Sequence, residues 1–582
     1  MSMSGEWEEQ IRAALGEIPC ELVIRDVDIV LCGAGKVAKG DIAVHRGTIV
    51  GMLEHYEAQR EMDGEGMYAL PGFIDGHIHL ESSMLTFCEF SKLAVPHGTT
   101  ALVCDPHEIA NVCGLSGIEE LMREAASVPL SVFFTAPSCV PATPLETSGA
   151  RLDASQLEPL IVRDEVVGLA ELMNMAGAIH RDPEVMLKVR AARRVHKRVD
   201  GHCPLLSGKQ LNAYMMAGPS SDHESTLPEE ALEKLEKGMW VMIREGSVSK
   251  NMEEVLGGLL DAHVDMRRCM LVSDDRHPLD IRKRGYFEGV LTRAIEMGVE
   301  PVEAVAMVSL NPAQYFNLDG FGEIAVGKRA DIVLTDGLED ISIQRVLVGG
   351  KEVASNGKML ADVPSYRFSP ALRDTVRLPP LTESSFAVRT HAEDTTRVRV
   401  IGVLEDSLIT ESLRWELPVV DGEIREDVDA DVLRIAVVHR HGKTDSIGLG
   451  FVRGFGLNGG TIGSTVAHDS HNLVLVGARK RDMLVAAQHL ASVGGGFVAV
   501  RDGDVVASLQ LELAGLMTTA SSEEVSTGLD ELHRVVAGWG CPLSSPFMTL
   551  SFMCLPPIPH LKLTDVGLVE DFSLVSLEVS SL

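Results

Sequence analysis

Two histidines one residue apart, His77 and His79, close an apolar run in residues 71–82, PGFIDGHIHLES. Alternate residues of a strand point to one face, so both imidazoles can reach a single cation. An isolated His-x-His is common; this one gains meaning from the ends of later apolar runs. Asp105, His107 and Glu108 follow TTALVC, and Glu171 ends EVVGLAE. His202 lies in RVDGHC, His223 in SSDHES, Arg244 and Glu245 in MWVMIREGS, and Asp274 and Asp275 in MLVSDDRH. His77, His79, Glu171, His202, His223 and Asp274 together form a candidate ligand set of imidazoles and carboxylates. Such a set suits zinc, manganese or iron, and a carboxylate can bridge two ions.

The elements that must position these residues are short. Eight strand-like runs occur, counting LSVFFTAP from Leu130, and segments of helical apolar spacing such as LSGIEELMREAAS and NMEEVLGGLLDAHVD separate most of them. Strand then helix, repeated, implies parallel strands joined by right-handed crossovers. The expected fold class is therefore α/β, a metal-dependent (β/α)₈ TIM-like barrel over residues 71–318, with functional groups at the C-terminal strand ends. Strand-like runs with Gly turns flank it at 1–70 and 319–376 and are expected to form one small β domain. A Pro-rich stretch, RLPPLTESSF from Arg377, marks a junction. Residues 377–582 are expected to form a C-terminal α/β or α+β domain, with strands VLRIAVVHRHG and HNLVLVGA and a helix in RDMLVAAQHLASVGG. Length alone allows about four domains; the pattern gives three parts. The histidines of the C-terminal part, His439, His441, His468 and His471, are read as hydrogen-bonded structural groups, because no ordered set of carboxylates accompanies them.

Composition fixes the setting. Lys plus Arg number 52 against 84 Asp plus Glu, a formal charge of −32, which repels a phosphate backbone and argues against nucleic-acid partners. The opening MSMSGEWEEQ is acidic where a signal peptide is basic, and no apolar run is long enough to span a bilayer, so a cytoplasmic protein without membrane association is expected. The 10 cysteines form no CxxC pair and read as reduced packing thiols.

The ordered ligand set resembles the amidohydrolase superfamily, in which two histidines after strand 1, a carboxylated Lys or a Glu after strand 4, histidines after strands 5 and 6, and an Asp after strand 8 hold one or two metals. Residues 164–174 contain no Lys, leaving Glu171 as the bridge on strand 4. PGFIDGHIHLESSMLT, VPHGTTALVCDPHEIANVCG, GHCP at Gly201, SSDHES, IREGS at Ile243 and MLVSDDRHP together resemble adenine deaminases of the bacterial and archaeal type. The likeness continues through VAHDSHN at Val466, GLMT at Gly515 and LKLTD at Leu561, so it covers nearly the whole chain.

The resemblance implies deamination of adenine to hypoxanthine and ammonia, in purine salvage. It implies one or two divalent ions, manganese or iron before zinc. Water is a poor nucleophile and amide ion a very poor leaving group, so the reaction needs an acidified water and proton delivery to the substrate. Asp274 would bind metal and shuttle protons, and Glu108 with His107 would contact the purine or the leaving group. The division of proton transfer among Asp274, Glu171 and Glu108 stays open, with Arg244 and Asp275 as further substrate-side residues. The C-terminal part would belong to the enzyme, shaping the pocket or an oligomer interface, and a homo-oligomer is expected. Two alternatives remain: a cyclic amidohydrolase of the dihydroorotase or hydantoinase type, which the missing strand-4 Lys disfavours, and a non-enzymatic purine- or metal-binding relative, which the filled ligand positions disfavour. His391 and Glu393 match half of the H-x-E with P-C-x-x-C signature of other zinc deaminases, and without the second half they are a coincidence.

Overall fold

The computed structural model describes residues 3–405 and 407–579. Its centre is a closed parallel barrel. The strands are β1 (Phe73–Ile78), β2 (Thr99–Cys104), β3 (Ser131–Ala136), β4 (Val166–Leu172), β5 (Arg198–Gly201), β6 (Ser221–Asp222), β7 (Trp240–Arg244) and β8 (Cys269–Val272). Backbone hydrogen-bond ladders join β1 through β5, and β6 through β8, as two parallel sheets. The seams close through backbone bonds, from Ser220 N–H to the Val199 carbonyl (2.9 Å) on one side and from Asp274 N–H to the His77 carbonyl (3.0 Å) on the other. The second seam is functional as well as structural, because it ties the two ends that carry His77, His79 and Asp274.

Side-chain alternation fills the barrel. Ile74, Ala101, Val103, Met242, Met270 and Val272 point inward to one cluster, which a helix at Leu310–Phe316 plugs with Ala313, Tyr315 and Phe316. Their neighbours Leu102, Cys104 and Leu271 point outward into the core under the helices. Burial on both faces is why these strands read as nearly unbroken apolar runs. The covering helices are amphipathic; Leu115–Ala125 buries Ile118, Leu121, Met122 and Ala125, the i, i+3, i+4, i+7 stripe.

Strands Tyr68–Pro71 and Ile332–Thr335 pair antiparallel, which joins segments before and after the barrel in one nine-stranded sheet. A second nine-stranded sheet occupies residues 395–510. On one face of it the helix Lys480–Val493 packs Met483, Ala486, Ala487 and Leu490 against Ala436, Val438, Leu473 and Leu475. The alternate residues Leu433, Ile435, Val437, Val474 and Val476 belong to the same continuous core as the barrel helices. The C-terminal sheet is thus clamped between its own helix and the barrel, and the loop 465–472 that leaves strand Gly460–Ser464 reaches the barrel mouth.

Candidate metal centre and substrate cavity

The six ligand-type side chains meet at the C-terminal end of the barrel, each at most 4 % exposed. His77 sits in β1, His79 just past it, Glu171 in β4, and His202 and His223 directly after β5 and β6. His77 Nε2 and His79 Nε2 each lie 3.2 Å from Asp274 Oδ1. Glu171 Oε1 is 3.4 Å from His79 Nε2, while its Oε2 is 2.5 Å from His202 Nδ1 and 3.0 Å from His223 Nε2. The two oxygens of Glu171 therefore face different imidazole groups, the arrangement a bridging carboxylate needs. The His77 and His223 rings stack at 4.2 Å.

Burial opposes charge on these groups, and for His77, His79, Glu171, His202 and Asp274 their mutual attraction outweighs it. Despite burial, His223 and His202 hold Glu171 well below the usual carboxylate range, and hydrogen bonds from His77 and His79 with the charge of Arg244 do the same for Asp274. The charges of Glu224 and Glu171, with the hydrogen bond to Glu171 and the charge of Asp222, push His202 up to about 9 against the desolvation that lowers it. A buried set in which imidazoles are forced to carry protons beside anions is well suited to a divalent cation, which replaces those protons and takes N and O ligands. Buried nitrogens without a well-formed hydrogen bond, His77 Nε2, His202 Nε2 and both of His107, point the same way.

The remaining sequence candidates surround this set. His107 and Glu108 open a helix, His107–Cys113, immediately beyond the Asp-Pro turn after β2. His107 Nδ1 lies 3.0 Å from Asp105 Oδ2 and 3.4 Å from Glu171 Oε1, so it borders the ligands directly. Arg244 lines the cavity, but its guanidinium donates to Glu224, to Asp274 Oδ2 (3.1 Å) and to Asn251 Oδ1 (3.1 Å), which makes it first a clamp on those side chains. Asp275 accepts from the Ser82 hydroxyl and also faces the cavity.

Two groups escape a reading of the sequence alone. Glu224, next to His223, lies 3.5 Å from His223 Nε2 and 3.7 Å from His202 Nδ1. Its adjacency to His223 in SSDHES is the available signal. His468 and His471 are indeed hydrogen-bonded, but their partner is Glu108 on the barrel rather than a group of their own domain. His439 and His441 remain outside the cavity, against Thr147 (2.9 Å) and the Ser470 carbonyl (2.8 Å). Glu108, His468 and His471 are close enough to hold an ion. The hydrogen bonding argues against it: His471 Nδ1 accepts from Ala467 N–H (3.1 Å), so in the neutral ring Nε2 carries the hydrogen and donates to Glu108. Despite burial, the imidazoles of His468, His471 and His107 hold Glu108 well below the usual carboxylate range.

The cavity is walled by this cluster and by Met173, and roofed by Leu408, Phe552 and Leu555 of the C-terminal part. Matches to known families divide at the same place. The amidohydrolase family model matches residues 68–353 and the adenine deaminase C-terminal domain matches residues 407–572. An adenine deaminase of Desulfatibacillum aliphaticivorans is 43% identical over 578 residues, covering 98% of this chain and 99% of that one. Adenine deaminases of Dehalococcoides mccartyi (strain CBDB1) and Methanococcoides burtonii are each 41% identical, over 568 and 577 residues, with 98% of this chain and 98% and 97% of theirs covered. At that identity along nearly the full length, and with both domain models matched, the chain belongs to the adenine deaminase family of amidohydrolases.

Proposed function

We propose that this protein hydrolyses adenine to hypoxanthine and ammonia. The observation that supports this most directly is Glu171 in contact with four imidazoles, His79, His107, His202 and His223, at the floor of a cavity with a largely apolar roof. His77, His79, Glu171, His202, His223 and Asp274 would hold one or two divalent ions, with manganese or iron preferred and zinc chemically acceptable. Bound there, the cation would supply a water acidic enough to attack C6 near neutral pH. Asp274, fixed by Arg244 and left with an oxygen toward His77 and His79, would accept the attacking water's proton and return it to the departing amine. Glu108 and His107, on the neighbouring wall, would meet the purine, and Asp275 the other side of the base. Leu408, Phe552 and Leu555 would exclude bulk water and suit a flat, apolar ring.

The acidic balance argues against nucleic-acid partners, and ten free cysteines, nine of them buried, suit a reducing cytosol. Among the described residues no helix is long and apolar enough to cross a membrane. We take a homo-oligomer as the working assembly. The test is an assay of purified, metal-replete protein against adenine, guanine, cytosine and dihydroorotate with ammonia detection. Ammonia release from adenine is the expected result; ring opening of dihydroorotate without it would favour the cyclic amidohydrolase.

A further inference from the structure

Two buried polar atoms at the cavity have no hydrogen-bond partner among the described residues and come from the C-terminal part: His468 Nε2 and Asp469 Oδ2. Leaving such buried atoms unpaired costs stability, so a natural protein retains them where a ligand or water completes them. Both are held rigidly. His468 donates through Nδ1 to Glu108 and stacks its ring on Phe552 at 4.8 Å, which fixes where Nε2 points. Asp469 keeps Oδ1 toward His107 Nε2 at 3.6 Å, leaving Oδ2 as the free acceptor. The loop itself is anchored from below, because the buried guanidinium of Arg440 donates to the carbonyls of His471, Thr465 and Ala514.

Resting on the deaminase reading, we propose that His468 and Asp469 are the substrate-recognition pair of the enzyme: Asp469 accepts an N–H of the purine and His468 Nε2 pairs with a ring nitrogen. Adenine offers both kinds of group on its edges, and an acceptor beside an imidazole nitrogen matches them. The C-terminal part then does more than cover the barrel; it reads the base, while the barrel carries the ligands. Glu108, which faces the purine in the reading above, also positions the pair, since its carboxylate orients His468 through Nδ1, as His471 orients Glu108.

The experiment compares metal-replete Asp469→Asn and His468→Asn with wild type, measuring kcat, KM for adenine, metal content and melting temperature. Asp469→Asn keeps size and removes the anionic acceptor. His468→Asn keeps an amide able to donate to Glu108 from the Nδ1 position and removes only the cavity-facing nitrogen. The expected results are a rise in KM for Asp469→Asn and a fall in kcat/KM for His468→Asn, each roughly 10- to 100-fold, the range of a hydrogen bond involving a charged group. Metal content stays at the wild-type level. Kinetics within about threefold of wild type in both variants, or losses that track metal content or melting temperature, overturn the assignment while leaving an active wild type as an adenine deaminase. A wild type inert toward adenine overturns the deaminase reading and this pair together.

Discussion

Glu108 and His471 lie 363 residues apart in the chain and share a hydrogen bond at the buried centre of the molecule. One belongs to the helix after β2, the other to a loop of the C-terminal sheet, so the wall of the cavity exists only when the two parts are docked. A second long-range pair tells the same story: Thr147 and Asp565, 418 residues apart, are hydrogen-bonded across the same two parts. The interface and the site are one structure, which makes stability at the interface a condition of activity.

Arg440 gives the most direct test of that coupling. Its side chain is fully buried and bonded to backbone carbonyls, with no carboxylate partner among the described residues, and burial pulls its guanidinium down to about 9. Lysine cannot reach three carbonyls at once, and each buried acceptor left unpaired costs on the order of 1–3 kcal/mol. Arg440→Lys is expected to lower the melting temperature and the kcat/KM for adenine together, with metal content unchanged. Calorimetry and steady-state kinetics on one preparation check it; full activity at a reduced melting temperature would mean that the loop holds its shape without this anchor.

Glu171→Gln is expected to lose metal and activity in step. The amide is nearly isosteric, but it removes the negative charge that faces His79 on one oxygen and His202 and His223 on the other. Loss of even an outer partner of a metal ligand typically costs roughly 10- to 100-fold in metal affinity, so a change to a direct ligand is expected to cost at least as much. Elemental analysis beside activity decides it, and wild-type metal content in the variant removes Glu171 from the ligand set.

Much of this is legible in the chain because it is local. His77 and His79 announce a shared strand face, and the apolar runs ending in Glu171, His202 and Asp274 repeat with the strand-then-helix rhythm of a barrel. β6 shows the limit: only Ser221 and Asp222 form it, so the polar motif around His223 locates the strand, not its hydrophobicity. His468 and His471 are visible as residues yet not as part of the site. Their partner Glu108 is 360 residues from His468, and a pairing at that distance leaves no periodicity in the intervening sequence. Arg244 shows what a strand-end cation does not announce: it lines the cavity, and most of its donors also hold Glu224, Asp274 and Asn251 in place.

Asp274 and Asp275 are adjacent but differently engaged, so their Asn variants should separate. Asp274 touches His77, His79 and Arg244, and its backbone is in the left-handed region at φ 58°, which Asn tolerates well. Asp274→Asn therefore keeps the fold while removing a basic ligand, and a kcat loss of about 10²–10⁴-fold or more is expected at saturating metal. Asp275 accepts from Ser82 and carries a raised pKa, caused by burial and by the like charge of Asp274. Asp275→Asn should be milder. Rates on adenine with metal content measured for both decide it, and the reverse order of severity would move the proton-transfer role to Asp275.

Glu146 supplies a pH signature away from the ligand cluster. Its Oε1 accepts from Thr143 N–H at 3.1 Å, while Oε2 is buried without a hydrogen-bond partner among the described residues, and burial together with the charge of Asp469 pushes the carboxyl up from 4.5 to about 8. The folded protein thus binds a proton at Glu146 that the unfolded chain releases between pH 4.5 and 8. Stability from this group is fully present below the unfolded value and is lost as pH rises through the folded one, because the native state then has to bury an anion beside Asp469. Each pKa unit corresponds to about 1.4 kcal/mol, so the effect across the window is at most a few kcal/mol. Glu146→Gln cannot ionise and keeps an oxygen for Thr143. Its melting temperature relative to wild type should therefore climb steadily from about pH 5 to about pH 8.5, with the largest advantage at the alkaline end. Thermal scans of both proteins across that range, at fixed metal, test it; parallel curves would show that Glu146 is ionised in the folded state and that Asp469 has another partner to offset the charge.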